Sequence, residues 1–212
     1  MSAEIKSLFL NGPGGRLEAL LHSGAADAKR AALVCHPHPL HGGTMHNKVV
    51  FHAMKALHSF GYPALRFNFR GAGLSEGEHD HGRGEVEDVR AALAWLAEEF
   101  KLPVIFAGFS FGAATGLRAC ADDARVMALI SLGTPVQVDG RLYSYGFLRT
   151  STKPKLFLSG AQDPYSPQDA MRDMVETLQP PKKLSFIEGA GHFFESRLDE
   201  MRVALEDWVR GL

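Results

Sequence analysis

Cysteine is nearly missing from this sequence: Cys35 and Cys120 are the only two in 212 residues. One sits in an apolar run and the other in a helical pattern. Both read as small core residues in a reducing compartment rather than as a disulfide framework. Apolar runs of membrane-spanning length are also missing. The opening residues Met1-Ser2-Ala3-Glu4-Ile5-Lys6 lack the basic-then-apolar order of a signal peptide. No stretch concentrates charge of one sign, and the formal net charge is -1. That balance speaks against nucleic acid or an anionic membrane as the main partner. Nor is there an internal repeat, a low-complexity tract or a break in composition. The expectation is a single domain over residues 1–212, long enough for a sizeable core. A cytoplasmic location and a small-molecule partner fit the same observations.

Turn residues and hydrophobic periodicity divide the chain. Ile5–Leu10 and Leu17–His22 alternate as strands about Asn11-Gly12-Pro13-Gly14-Gly15, which predicts a hairpin. Short buried strands are expected at Ala31–Cys35, Ala64–Phe69, from Val104, at Val126–Leu132, Lys155–Ser159 and Leu184–Ile187. Helical periodicity covers Asn47–Phe60, Glu85–Phe100, the segment carrying Leu117, Pro167–Leu178 and Glu195–Val209. Strands alternating with helices imply an α/β fold, a mostly parallel sheet covered on both faces, with the hairpin adding antiparallel edge strands. In such sheets the chemistry belongs at the carboxyl ends of the strands, where the unusual loops fall here.

The most informative stretch is Gly108-Phe109-Ser110-Phe111-Gly112, which follows a buried strand and opens an Ala-rich helical segment. This is a G-x-S-x-G arrangement in the strand–turn–helix context it requires. So tight a turn strains the serine backbone and projects its hydroxyl above the sheet edge, while flanking glycines avoid collisions. The helix that follows aims free N–H groups and its positive dipole end at the same place. A serine hydroxyl still needs a base, and the base needs an orienting group. Asp163, after a strand and a glycine, and His192, in a Gly-flanked loop after the last strand, offer those roles in the order Ser, Asp, His. Singly, Asp163 reads equally as a turn-capping carboxylate and His192 as a loop histidine. Their joint placement favours a catalytic triad.

On the motifs Gly108-Phe109-Ser110-Phe111-Gly112, Gly160-Ala161-Gln162-Asp163 and Gly191-His192, the chain resembles the α/β-hydrolase superfamily over nearly its whole length. The turn His36-Pro37-His38-Pro39 with Gly42-Gly43, and Arg70-Gly71-Ala72-Gly73, resemble the small bacterial hydrolases related to dienelactone hydrolases. That resemblance implies an eight-stranded sheet, serine esterase chemistry and no cofactor. The nucleophile of dienelactone hydrolase is cysteine, whereas this chain has Ser110, so its substrate is not carried over. One oxyanion donor is the N–H of Phe111, the residue after the nucleophile. Matching His36-Pro37-His38-Pro39 to the family's His-Gly-x-Pro turn makes the main chain of His38 the other. Pro37 has no N–H to offer.

Other residues carry two readings. His36, His38, His41 and His46 cluster, and His79 and His81 flank Asp80, but the prolines serve the turn and no H-E-x-x-H pattern occurs. Turn-forming or solvated histidines are therefore expected, with no metal. Arg70 is either an anion contact or, as Arg more usually is at a loop base, half of an ion pair. Leu40, Tyr143, Tyr145 and Phe193 are candidate substrate contacts, with Phe147 and Phe194 as further candidate aromatic walls. Val136–Thr152 lies where relatives insert a lid, yet it is too short for a helical cap, which predicts an open site. The reading is a serine hydrolase of carboxylic esters or thioesters. A serine peptidase or acylaminopeptidase, and an inactive hydrolase-fold binding module, are the alternatives.

Overall fold

The structure, a computed structural model, describes residues 4–138 and 143–212. Strands β1 (Ile5–Gly12) and β2 (Gly15–His22) form the hairpin. There follow β3 (Ala31–Cys35), α1 (Lys48–His58), β4 (Ala64–Phe67), α2 (Arg83–Phe100), β5 (Val104–Phe109) and α3 (Phe111–Cys120). The chain ends through β6 (Val126–Leu132), β7 (Lys155–Gly160), α4 (Gln168–Glu176), β8 (Lys182–Ile187) and α5 (Leu198–Arg210). One eight-stranded sheet runs in the order β1-β2-β4-β3-β5-β6-β7-β8. β1, β2 and β4 pair antiparallel, and every pairing from β4 through β8 is parallel. This is the α/β-hydrolase fold.

Alternation along the strands makes two cores. On one face Val34, Ile105 and Ile130 pack against Val50 and Met54 of α1 and Leu205 of α5. On the other, Leu33, Phe106 and Phe157 pack against Val89 and Leu93 of α2, Leu117 of α3 and Met171 of α4. The central strands β3 and β5 are buried at every residue, as continuous apolar runs in a doubly covered sheet must be.

Element ends differ from the sequence expectation where side chains intervene. β4 stops at Phe67 rather than Phe69 because the N–H of Phe69 donates to His36 Nε2 (2.9 Å) instead of continuing a ladder. α2 begins before Glu85, whose carboxylate accepts from Gly82 N–H (2.8 Å) and Asp80 N–H (2.9 Å) and so caps the helix it was expected to start. α5 begins only at Leu198, since Phe194 and Ser196 hold positive φ (53° and 59°), which a helix excludes. Between β6 and β7 the described residues contain only a short 3-10 turn, Gly146–Arg149, and no helical cap. Residues 139–142 of the segment expected to leave the site open lie outside the described residues. No helix among the described residues is long and apolar enough to cross a membrane.

Candidate active site

Ser110 stands between β5 and α3 with φ 55° and ψ -120°, a strained conformation for a residue with a side chain. The turn is pinned from three sides. Ser110 N–H donates to Leu132 O at the end of β6 (2.9 Å), and its carbonyl accepts from Ala113 and Ala114 (2.9 and 3.1 Å). The glycines are required by close approach. A Cβ at Gly108 would lie 2.5 Å from Gly112 O, and one at Gly112 would lie 2.3 Å from His36 O. The first turn of α3 thus rests against the backbone that leaves β3.

Asp163 and His192 come from the loops after β7 and β8. Gly160 lets these loops touch, since a Cβ there would sit 2.3 Å from the carbonyls of Ala190 and Gly191. Both carboxylate oxygens of Asp163 are used. Oδ1 accepts from Tyr165 N–H (2.9 Å), and Oδ2 lies 2.7 Å from His192 Nδ1. That contact places the ring proton on Nδ1, leaving Nε2 to accept from the Ser110 hydroxyl at 2.9 Å. Asp163 and His192 are buried, and Ser110 is partly exposed at the cavity floor.

The imidazole is also held by packing that sequence patterns did not mark. Phe109 and Tyr165 place their rings 4.9 and 4.8 Å from the His192 ring, and Phe193 lies at 5.2 Å. Gly133, with φ 52°, leaves room for it: a Cβ there would be 3.2 Å from His192 Cε1. Its only signal is a glycine immediately after β6.

A cavity of about 640 Å³ opens over Ser110. Leu40, Tyr143 and Phe193, all expected there, line it together with His38, Phe111 and Tyr165. Tyr145, also expected there, does not line this cavity but the recess beside it. Its ring is buried and its hydroxyl donates to Pro135 O (2.9 Å), a satisfied core tyrosine whose phenol burial pushes well above its usual pKa. Phe194 lies in the core beside α5, and Phe147 lies beneath the Arg118 guanidinium. Arg70 is not a substrate contact but a partner of buried Asp88, at 2.7 Å.

The clustered histidines divide by environment. His36 is fully buried, its Nδ1 2.6 Å from Pro37 O and its Nε2 accepting from Phe69 N–H, so only the neutral ring fits. Burial pulls its pKa down to about 4, against a smaller upward effect of the Pro37 contact. His38 stacks on His41 (4.5 Å between rings) and tilts against His79 (4.8 Å), which lies 2.7 Å from the carboxylate of Glu85. Among the described residues no group of three or more His, Cys, Asp or Glu is placed to hold a metal ion.

A family model described as serine aminopeptidase, S33, matches residues 29–150, a stretch that holds Ser110. An uncharacterized protein of Rickettsia prowazekii is 36% identical over 209 residues, 95% of this chain and 87% of that one. An α/β serine hydrolase homologue from Coxiella burnetii is 37% identical, covering 95% of this chain and 96% of its own, with a TM-score of 0.87. A Xanthomonas campestris protein, described as an α/β serine hydrolase without a lid, is 36% identical over 99% of this chain and 95% of its own, also at 0.87. Est1E from Butyrivibrio proteoclasticus, solved with ferulic acid bound, shares the fold at 18% identity, with a TM-score of 0.82 over 96% and 98% of the two chains.

Proposed function

The chain belongs to the α/β serine hydrolases, and from that premise we propose that it cleaves carboxylic esters or thioesters through an acyl-enzyme on Ser110. The observation that carries this reading is the line of contacts from Ser110 Oγ through His192 to Asp163. His192 Nε2 takes the hydroxyl proton as Oγ bonds to the acyl carbon, and the carbonyl π electrons move onto oxygen. Asp163 holds the imidazolium through Nδ1–H. Collapse of the tetrahedral intermediate breaks the bond to the leaving oxygen or sulfur, which departs with the proton from His192. Water, deprotonated by the same ring, then releases the acid and restores the serine.

The oxyanion is held by the main-chain N–H groups of His38 and Phe111, each worth about 3 kcal/mol in the transition state. What supports the pairing is proximity: Gly112 packs on the carbonyl of His36, and the His38 and Phe111 rings lie 4.8 Å apart. Leu40, Tyr143 and Phe193 form the acyl contacts. The turn His36-Pro37-His38-Pro39 keeps the likeness to enzymes related to dienelactone hydrolases, with serine in place of their cysteine.

The matched family model's description favours a second reading, an aminopeptidase. Such an enzyme must recognise a substrate ammonium, and no Asp or Glu is among the described residues that line the cavity. Ester chemistry needs no such partner. A panel of aryl ester, thioester and aryl amide substrates, run beside Ser110→Ala, tests the proposal. Ester or thioester turnover should fall at least about a thousandfold in the variant. Turnover of amides alone, or esterase activity that survives in Ser110→Ala, overturns it.

A further inference from the structure

A second recess of about 530 Å³ adjoins the catalytic cavity, between α2 and α3. The two share His81, Phe111 and Tyr143 in their linings, so they lie side by side. Its distinguishing feature is charge. Arg83 and Arg90, seven residues apart and so on one face of α2, meet Arg118 of α3 there, and no Asp or Glu is among its described lining residues. This runs against the whole chain, whose formal net charge is -1.

The three guanidinium groups are weakly engaged. Arg118 is exposed, lies 5.0 Å above the Phe147 ring, and has no carboxylate in ion-pair range among the described residues. Arg83 is 3.8 Å from a half-buried Asp80, and Arg90 pairs with an exposed Glu87 one turn away. Surface pairs of this kind contribute little and are readily exchanged for a better acceptor. The planar guanidinium fork matches phosphate oxygens two at a time. Two such groups neutralise a dianionic phosphate and one suffices for a carboxylate, so a recess with three favours the more highly charged anion.

We propose that this recess binds a phosphate group carried by the substrate, so that the hydrolase acts on esters or thioesters that bear a phosphate on either the acyl part or the leaving group. The proposal rests on the ester-hydrolase reading for its chemistry, but its binding step can be measured separately. 4′-Phosphopantetheine, phosphorylated on the thiol side, and 3-phosphoglycerate, phosphorylated on the acid side, are titrated calorimetrically into Ser110→Ala beside their phosphate-free counterparts, pantetheine and glycerate. One phosphorylated probe should bind at least about tenfold more tightly than its counterpart, and which one does identifies the half of the substrate that carries the charge. The double variant Arg83→Gln/Arg118→Gln should lose that advantage, and Arg83→Lys/Arg118→Lys should keep part of it. Raising salt from about 0.05 to 0.2 M should weaken binding to the unsubstituted groove and leave the glutamine variant unaffected. Thermal unfolding of each variant serves as the control for fold.

No phosphate advantage for either probe, or equal advantage in the glutamine variant, overturns the proposal. If a neutral aryl ester is still hydrolysed in that case, the ester-hydrolase reading stands without it. If the phosphorylated probe binds as expected but no ester is turned over, the hydrolase reading fails and the anion site stands.

Discussion

Asp163 shows how much a single atom's environment decides. One carboxylate oxygen is engaged by the Tyr165 backbone and the other by the His192 ring, so the aspartate fixes both its own rotamer and the imidazole tautomer. An asparagine in its place keeps the shape but reverses the tautomer preference. Asp163→Asn should therefore lower kcat by about 10⁴-fold with little change in KM, read from steady-state ester hydrolysis. His36 makes the opposite use of an imidazole. Its folded pKa, pulled down to about 4, lies below the unfolded value of about 6.5. The stability it contributes is thus complete above pH about 6.5 and is lost as the pH falls towards 4, because the unfolded chain takes up the proton first. Urea unfolding at pH 7 and pH 5 should show wild type losing on the order of 2 kcal/mol more than His36→Gln. An identical loss in both would show that His36 does not carry this linkage. His22 is pulled down to about 4 in the same way, by burial and by the neighbouring Arg66 guanidinium, and supplies part of the loss common to both proteins.

Among the elements, those at the carboxyl edge of the sheet hold the site, and their glycines are where the geometry is tightest. Gly133→Ala places a methyl 2.9 Å from Phe109 Cε2 and 3.2 Å from His192 Cε1 on a backbone with φ 52°. The Phe109 and His192 rings must shift, so kcat should fall by roughly 10- to 100-fold with little change in KM, and the unfolding midpoint should drop as well because alanine is strained at that φ. A matching rise in KM would instead indicate a disturbed cavity. This level also separates what the sequence made legible from what it did not. The elbow around Ser110, the places of Asp163 and His192 after their strands and the hairpin at the start rest on local patterns, and local patterns can be read from a chain. The direction of Tyr145, the tie of His36 to Phe69, and the clasp of His192 between Phe109 and Tyr165 depend on residues distant in sequence. Nothing in an aromatic residue's neighbours tells whether its ring faces a cavity or the core. Arg70 took the more ordinary of its two readings because Asp88, one turn into α2, is brought beneath it by the fold.

At the scale of the whole molecule, one mostly parallel sheet gathers loops from β3, β5, β7 and β8 at a single edge, and helices pack on both of its faces. The strain at Ser110 is tolerated because both cores over-determine the strand and helix that flank it. Charge is divided by position in the same way. The cavity over Ser110 is lined without a carboxylate among the described residues, while the adjoining recess gathers three arginines. The proposed phosphate-bearing ester or thioester fits that division, and an ammonium-bearing peptide does not.

The most direct test is covalent labelling with a fluorophosphonate, read by mass spectrometry of the intact protein and of the peptide containing Ser110. Stoichiometric modification of Ser110, slowed strongly in Asp163→Asn and absent from Ser110→Ala, is the predicted result. An unmodified protein, or a label found on another side chain, would contradict a nucleophile activated by His192.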